Sequence, residues 1–236
     1  MQIKVLFFDV FGTLVDWRGS IAREAQALLS PRGAAIDWLA FADAWRSQYQ
    51  PAMDEVRSGR LPFSKLDVLH RRNLDAILPA FGLAALEEPA RAELNLAWHR
   101  LDAWPDAAPG LARLHSRFRI APCSNGNISL MVDLARRNNF PWDAILGAEI
   151  ARDYKPKPVV YLSAAAAFDC SPAETMMVAA HSSDLAAAAG VGLHTAFVAR
   201  PDEYGPGKGE SRAGVAVDFA APSLTALADQ LLSLAR

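Results

Sequence analysis

One carboxylate of the chain stands where catalytic acids are often found. Asp9 ends the run Ile3-Lys4-Val5-Leu6-Phe7-Phe8 and precedes a turn at Gly12. A strand buried on both faces gives such a near-continuous apolar run, and an acid at its end is costly unless it has a partner or a task. At the carboxyl end of a central parallel strand it would face the crevice where open α/β sheets bind ligands. Asp9 is therefore a candidate nucleophile, and the alternative is an aspartate that caps the following turn.

Three further groups follow apolar runs later in the chain. Ser124 comes after the run Ile120–Cys123, Lys155 stands in Asp153-Tyr154-Lys155-Pro156, and Asp184 follows the run at 176–180. Each has an ordinary explanation: a helix cap for Ser124, a solvated loop cation for Lys155 and a first-turn acid for Asp184. Because the carboxyl ends of parallel strands meet at one edge of a sheet, we expect these groups and Asp9 to converge on one crevice.

The elements that would hold these groups alternate between strands and helices. Strands are predicted at 3–8, 120–123, 144–148, 176–180 and 195–198, and helices at 128–138, 159–168 and 224–235. This alternation predicts the α/β class: a doubly wound, Rossmann-like parallel sheet covered by helices on both faces. Residues 16–99 show helical periodicity without a convincing strand. We therefore expect a catalytic core of 1–15 and 100–236 and a helical cap domain of 16–99 inserted after the first strand.

Helices are predicted throughout the cap. Ile21, Ala25 and Leu28-Leu29 form one apolar stripe, and a second stripe runs from Trp38 to Met53. A further helix is expected to begin at Pro62 and to end near Pro79, and another is expected from Pro89 to Trp98. Proline is favoured in the first turn of a helix and ends one when it follows the last turn.

Composition narrows the partners and the location. The 236 residues carry a formal net charge of −2, with charged residues scattered singly, so neither nucleic acid nor an anionic membrane is expected as a partner. The sequence has no apolar stretch of membrane-spanning length and no secretory pattern at its start, so a cytoplasmic protein is expected. Cys123 and Cys170 are expected to be buried free thiols. A homodimer through the helical block is expected only because such dimers are common.

The motifs together resemble those of one superfamily. Asp9-Val10-Phe11-Gly12-Thr13, Ser124-Asn125-Gly126, Tyr154-Lys155-Pro156 and Asp184, with a helical insertion after the first motif, resemble the haloacid dehalogenase superfamily along nearly the whole chain. Most members transfer phosphate, and their first motif has a second aspartate that protonates the leaving alcohol beside a magnesium ion. Here that position is Phe11, which can neither give nor take a proton. The last motif has Ala180 in place of one acid, so oxygen ligands for a hard dication are depleted.

Within the superfamily, the chain most resembles the type II 2-haloacid dehalogenases, which have an aromatic residue in place of the second aspartate. The resemblance implies that Asp9 attacks C2 of a short 2-haloalkanoate, expels halide and forms an ester, which water hydrolyses to a 2-hydroxy acid of inverted configuration. It implies no metal and no cofactor. Lys155 would keep Asp9 ionised, Thr13 and Ser124 would orient its oxygens, and Asp184 would pair with Lys155 and the hydrolytic water.

The halide site of those enzymes carries over in part. Arg46 resembles the cap arginine that meets the leaving halide, and Asn125 resembles its amide partner. Phe11 would form an apolar wall, and Tyr161 matches a tyrosine of the family site. Arg46 could equally flank the buried stripe beside Trp45, and Tyr161 could be a half-buried helix aromatic.

The last motif departs most from the family pattern. Dehalogenases of this type often have Ser-x-Asn-x-x-Asp where this chain has Ala179-Ala180-His181-Ser182-Ser183-Asp184. His181 is then either a structural histidine or a group that positions water or the product.

Two alternatives to dehalogenation stay open. One is a superfamily hydrolase that uses the same aspartate on another leaving group (C-N, C-P or phosphate ester), and the other is a non-catalytic small-anion binder.

Overall fold

The computed structural model describes residues 3–234. Its strands are, in chain order, β1 (Val5–Phe8), β2 (Val15–Asp16), β3 (Asp102–Ala103), β4 (Arg119–Ser124), β5 (Leu146–Gly147), β6 (Thr175–Ala179), β7 (His194–Val198) and β8 (Phe219–Ala221). Its helices are α1 (Trp17–Leu29), α2 (Trp38–Ser47), α3 (Tyr49–Arg57), α4 (Leu66–Ile77), α5 (Glu88–Asn95), α6 (Ala107–His115), α7 (Ile128–Asn138), α8 (Ala148–Ala151), α9 (Pro158–Ala167), α10 (Ser182–Gly190) and α11 (Leu224–Ser233). This succession confirms the predicted α/β class.

A parallel six-stranded sheet forms the core, in the order β5-β4-β1-β6-β7-β8. Strand β1 lies between β4 and β6, with Phe8 opposite both Pro122 and Val178. The chain reaches these two neighbours of β1 by crossovers in opposite directions. Such a reversal of strand order opens a crevice at the carboxyl ends of the strands.

The apolar sequence of β1 is explained by burial on both faces. Leu6 and Phe8 belong to one hydrophobic cluster, whereas Val5 and Phe7 belong to the cluster on the opposite face of the sheet. All four side chains are fully buried. Burial of a large aliphatic or aromatic side chain contributes about 1.5–3 kcal/mol, so the strand that carries Asp9 is anchored from both sides.

The helical insertion joins the core through a short ribbon that the sequence pattern does not reveal. Strands β2 and β3 pair antiparallel, with Val15 opposite Ala103 and Asp16 opposite Asp102. Helices α1 to α5 lie between these strands in the chain. Two-residue strands are too short to show an alternating pattern, which explains why they escaped detection. No helix among residues 3–234 is long and apolar enough to span a bilayer.

Three predicted boundaries are wrong for identifiable reasons. The helix expected over 38–53 is split at Gln48 into α2 and α3, because Pro51 has no N–H and its ring would clash with the carbonyl of Ser47. The helix expected from Pro62 begins at Leu66. There the side chain of Asn127, in the core, accepts a hydrogen bond from a first-turn N–H at 3.2 Å.

The third wrong boundary is the strand expected over 144–148, of which only Leu146–Gly147 is extended. Gly147 has φ of 123° and packs on the backbone of Ser124, where a Cβ atom would lie 2.1 Å from the carbonyl oxygen. Only glycine fits this close approach, and the chain turns directly into α8. Strand β8 was not predicted. It pairs with β7 at the edge of the sheet.

Candidate active site

Asp9 lies directly beyond β1, at the centre of the sheet edge. Its N–H donates to the carbonyl of Val178 at 3.0 Å, which continues the pairing of β1 with β6 past the end of the strand. Thr13 Oγ1 donates to Asp9 Oδ2 at 2.7 Å and accepts from the N–H of Ala180 at 2.9 Å. The turn after β1 therefore fixes one oxygen of the carboxylate, as expected for Thr13.

Lys155 bridges the two buried carboxylates. Its Nζ donates to Asp9 Oδ1 at 2.8 Å and to Asp184 Oδ2 at 2.5 Å. Burial would lower the pKa of Lys155, but the carboxylates of Asp184 and Asp9 raise it well above its ordinary value. Burial would likewise raise the pKa of Asp9, yet the Lys155 ammonium and His181 hold it well below its ordinary value. Asp9 is thus an ionised carboxylate at neutral pH.

Tyr161 contacts the second carboxylate of this pair. Its hydroxyl donates to Asp184 Oδ1 at 2.5 Å, so each oxygen of Asp184 accepts one hydrogen bond. Burial raises the pKa of Tyr161, and the neighbouring Asp184 carboxylate raises it further. The tyrosine is therefore a neutral donor that orients Asp184 beneath the crevice.

His181 connects Asp9 to an acid that we did not predict from the sequence. Its Nδ1 lies 3.1 Å from Asp9 Oδ2, and its Nε2 lies 2.8 Å from Oε2 of Glu203. Burial would lower the pKa of His181, but hydrogen bonds to Asp9 and Glu203 raise it to about 10. Glu203 lies in the loop after β7, which the sequence showed only as a loose turn rich in glycine. The only sequence signal for Glu203 was that it is an acid a few residues beyond the end of the strand predicted at 195–198.

Ser124 and Asn125 hold the loop that follows β4. The Oγ of Ser124 accepts from the N–H of Gly126 at 3.1 Å, and Oδ1 of Asn125 accepts from the N–H of Lys155 at 2.9 Å. Within residues 3–234, Ser124 makes this loop contact in place of the expected hydrogen bond to the Asp9 carboxylate. Its hydroxyl shapes the turn, and Asn125 fixes the backbone that carries Lys155.

The cap covers the crevice with aromatic rings and one cation. The guanidinium of Arg46 lies 3.9 Å from the ring centroid of Tyr49 and 5.8 Å from that of Phe11. Its Nη1 is buried without a hydrogen-bond partner in the described part of the chain. Phe11 packs edge-on against Trp98, with ring centroids 5.9 Å apart. Arg46 and Phe11 thus lie close together in the lining of the crevice that also contains Asp9.

The crevice between core and cap measures about 470 Å³. This volume suits a small organic anion rather than a polymer. Its lining brings together the following groups: Asp9, Phe11, Arg46, Tyr49, Gln50, Asn125, Lys155, Pro156, Tyr161, His181, Ser183, Asp184, Tyr204, Lys208, Gly209 and Glu210. Thr13 and Ser124 lie behind this lining, fully buried.

The family of the chain follows from its sequence. The model of the haloacid dehalogenase-like hydrolase family matches residues 3–192. The chain belongs to this family. It is 29% identical over 201 residues to the (S)-2-haloacid dehalogenase of Xanthobacter autotrophicus, an alignment that covers 84% of this chain and 76% of that relative.

Solved structures of haloacid dehalogenases resemble the chain over almost its whole length. The crystal structure of a defluorinating L-2-haloacid dehalogenase has a TM-score of 0.95 at 42% identity and covers 98% of this chain and 95% of that one. The L-2-haloacid dehalogenase from Xanthobacter autotrophicus with chloropropionic acid covalently bound has a TM-score of 0.82 at 25% identity, covering 99% of this chain and 100% of that one.

Two positions set this haloacid dehalogenase-like chain apart from the phosphate-transferring pattern. Phe11 is buried among aromatic rings, and Ala180 contributes its backbone N–H to Thr13 in place of a carboxylate. Within residues 3–234, no group of three or more His, Cys, Asp or Glu side chains is placed to hold a metal ion. The three acids closest to the nucleophile turn, Asp9, Asp184 and Glu203, are each paired with Lys155 or His181, and Glu210 accepts hydrogen bonds from Ser182.

Proposed function

We infer that the protein is a hydrolytic dehalogenase that converts short 2-haloalkanoic acids to 2-hydroxy acids through an ester on Asp9. One observation carries this inference: the buried, ionised carboxylate of Asp9 accepts a hydrogen bond from Lys155, while Phe11 occupies the position where phosphatases have their second aspartate. Displacement of halide from carbon needs a nucleophile and no proton donor, because halide leaves as a stable anion. The site has such a nucleophile in Asp9 and has the apolar Phe11 where a proton donor would otherwise stand.

The first half-reaction takes place between the two walls of the crevice. A carboxylate oxygen of Asp9 forms a bond to C2 of the substrate while the bond from C2 to the halogen breaks and its electron pair leaves with the halide. The nucleophile approaches opposite the leaving group, so the configuration at C2 is inverted. We propose that Arg46 receives the developing halide, since its guanidinium lies at the crevice with an unpartnered Nη1 among the described residues.

The second half-reaction regenerates Asp9. Water adds to the Cγ carbon of the ester and passes a proton to a base, which we propose is Asp184, held by Lys155 and Tyr161. The tetrahedral intermediate collapses with cleavage of the bond between Cγ and the alkyl oxygen. The alkyl oxygen takes the proton that Asp184 received, the 2-hydroxy acid departs, and the oxygen of the water remains on Asp9.

Substrate preference follows from the relatives. Because two curated relatives are (S)-2-haloacid dehalogenases, we propose that this chain acts on the (S) enantiomer of 2-chloropropionate. Fluoroacetate belongs in the substrate panel, because one structural relative is described as defluorinating.

A labelling experiment tests the covalent intermediate directly. Turnover of (S)-2-chloropropionate in ¹⁸O-water with excess enzyme is expected to place ¹⁸O in the peptide that contains Asp9, detected by mass spectrometry after digestion. Asp9→Asn is expected to lower halide release by roughly 10⁴-fold or more. Label that appears only in the product, with none on the peptide, would contradict the ester. Magnesium-stimulated release of phosphate from a phosphomonoester panel, without halide release, would favour the alternative leaving group.

A further inference from the structure

Glu203 is the most buried acid of the crevice region and has no role in the reaction described so far. It is 1% exposed, less than Asp9 or Asp184. Its Oε1 accepts from Nε1 of Trp17 at 3.0 Å, and its Oε2 lies 2.8 Å from Nε2 of His181. A carboxylate is expensive to bury, and one held in this way by two side chains has a defined position and a defined partner.

The turn after β1 is shaped around this carboxylate. Gly12 has φ of 83°, and a Cβ atom at this position would lie 2.0 Å from Oε1 of Glu203. The glycine of the first motif therefore leaves room for an acid that arrives from the loop after β7. The nucleophile turn and Glu203 are packed as one unit.

Among the described residues, His181 is the one side chain that contacts the carboxylates of both Glu203 and Asp9. The imidazole uses one nitrogen for each carboxylate, at 3.1 Å from Asp9 Oδ2 and 2.8 Å from Glu203 Oε2. Carboxylates only accept hydrogen bonds, so both contacts are satisfied together when both ring nitrogens carry protons. The ring is then an imidazolium aimed at Asp9 Oδ2.

Asp9 Oδ2 consequently receives two donors. Thr13 Oγ1 lies 2.7 Å from it and His181 Nδ1 lies 3.1 Å from it. Donors at these distances form an oxyanion hole when negative charge develops on the oxygen they surround. Such charge develops on the carbonyl oxygen of the Asp9 ester when water adds to Cγ.

We propose that Glu203 is a positioning residue for ester hydrolysis: it holds the His181 imidazolium on Asp9 Oδ2, where His181 and Thr13 together stabilise the oxyanion. This inference rests on the proposed function.

The two oxygens of Asp9 then have different roles in the reaction. Attack on C2 uses Oδ1, which accepts the hydrogen bond from Lys155, and Oδ2 becomes the carbonyl oxygen of the ester. Water adds to Cγ, its proton passes to the base, and the carbonyl electron pair moves to Oδ2. Collapse restores the carbonyl and breaks the bond from Cγ to Oδ1, whose electron pair leaves with the hydroxy acid.

The proposal also explains why Glu203 is needed once the ester forms. Esterification removes the negative charge of Asp9, so the imidazolium loses one of its two counter-ions. Glu203 remains as the other and keeps the ring charged and oriented during hydrolysis. With a neutral side chain in its place, the ring would lose its proton and donate less strongly to the oxyanion.

The test separates the two half-reactions. Glu203→Gln keeps the size of the side chain and an oxygen for Trp17 but removes the charge. With (S)-2-chloropropionate we expect a burst of one equivalent of chloride at an ester-formation rate within about threefold of the unchanged protein. The following hydrolysis should be slower by about 10- to 100-fold, so that the esterified protein accumulates in intact mass spectra. Asp202→Asn, an exposed acid next in the chain, is the matched control and should show no accumulation.

A double-mutant cycle tests whether Glu203 acts through His181. In the background of His181→Asn, the change Glu203→Gln should add less than about twofold to the loss, because the connection is already broken. Full additivity of the two losses would overturn the proposal, as would hydrolysis by Glu203→Gln at the unchanged rate without ester accumulation. An unchanged protein that releases no halide from any short 2-haloacid would instead defeat the proposed function.

Discussion

The crevice has a core wall, which includes Asp9, Lys155, His181 and Asp184, and a cap wall, which includes Arg46, Tyr49 and Gln50. The two walls differ in whether their charged groups are paired. On the core wall, Asp9 and Asp184 share the Lys155 ammonium, and His181 lies between Asp9 and Glu203. On the cap wall, the one cation lining the crevice is Arg46, which stacks on aromatic rings and keeps Nη1 without a partner in the described residues. The charges around the nucleophile on the core wall thus form a closed network, whereas the buried cation of the cap wall keeps an unused donor.

From this difference we propose that the two half-reactions depend on different walls. A closed network holds the nucleophile in one ionisation state and one orientation, which serves attack and ester hydrolysis. An uncompensated cation in an aromatic setting is suited to an anion that appears only during the reaction, such as halide. Changes on the cap wall should therefore slow ester formation alone, whereas changes on the core wall should affect hydrolysis or both steps.

The largest effect is expected from Lys155→Met, which breaks the closed network. The carboxylates of Asp9 and Asp184 would remain buried without a shared cation, and loss of one partner from a buried ion pair costs about 3–5 kcal/mol. The pKa of Asp9 would rise as well, which removes the ionised nucleophile. We expect halide release to fall by roughly 10³-fold or more and the free energy of unfolding in urea to fall by several kcal/mol.

Lys157→Met is the matched control for this change. Lys157 is an exposed lysine in the same loop and does not line the crevice. Its removal should alter the free energy of unfolding by less than about 0.5 kcal/mol and leave halide release unchanged. Equal losses in both variants would show that the loop, and not the ion pair, matters.

The core wall was largely predictable from the sequence, because its groups follow strand ends. Asp9, Lys155 and Asp184 were expected to meet, and they lie within hydrogen-bond distance. Family resemblance added Thr13 and Tyr161, which also lie in this network. The specific roles of these residues stay predictions until variants are measured.

The parts that escaped prediction depend on tertiary contacts. Glu203 lies in an irregular loop that the pattern of apolar residues does not position, and its partner His181 is nearby only in space. Ser124 follows its strand as expected, but its hydroxyl turns to Gly126. The predicted bounds of the core (1–15 and 100–236) and the cap (16–99) and the proposed homodimer stay predictions. Patterns of apolar residues locate elements, whereas loops and side-chain orientation are set by packing.

An intermediate effect is expected from Arg46→Met, which removes the cation of the cap wall. Without it, the leaving halide loses its electrostatic stabilisation, and ester formation should slow by about 10²- to 10³-fold. Hydrolysis of any ester that forms should stay within about threefold, so rapid-quench experiments should show no accumulation of esterified protein. Arg46→Lys is expected to recover only part of the rate, because a lysine does not stack on Tyr49 as a guanidinium does.

Arg60→Met serves as the control for the cap. Arg60 is an exposed arginine after α3 and does not line the crevice. Ester formation in this variant should match the unchanged protein. Accumulation of ester in Arg46→Met would contradict the assignment of the cap wall to the first half-reaction.

The smallest effect on turnover is expected from His70→Phe, which replaces a ring packed against Tyr49 and Trp98 behind the lining of the crevice. His70 is 1% exposed, stacks on Trp98 with ring centroids 4.1 Å apart, and has no hydrogen-bond partner on either nitrogen within residues 3–234. Burial is the main cause that lowers the pKa of His70 from 6.5 to about 3; the nearby Asp67 carboxylate opposes this shift, and Arg46 adds to it. The ring is therefore neutral in the folded protein, and we expect halide release within about threefold of the unchanged rate.

His70 should nevertheless govern part of the response to acid. Below pH 6.5 the unfolded chain binds a proton at this histidine and the folded chain does not, so stability falls as the pH falls toward the folded-state pKa of about 3. Between pH 7 and pH 5, His70→Phe should lose about 2 kcal/mol less stability than the unchanged protein in urea unfolding. Asn73→Leu, a buried polar neighbour on α4 that does not titrate, should differ from the unchanged protein by the same amount at both pH values. A parallel response of His70→Phe and the unchanged protein would mean that His70 already carries a proton when folded, which would place a second cation near Arg46 behind the cap wall.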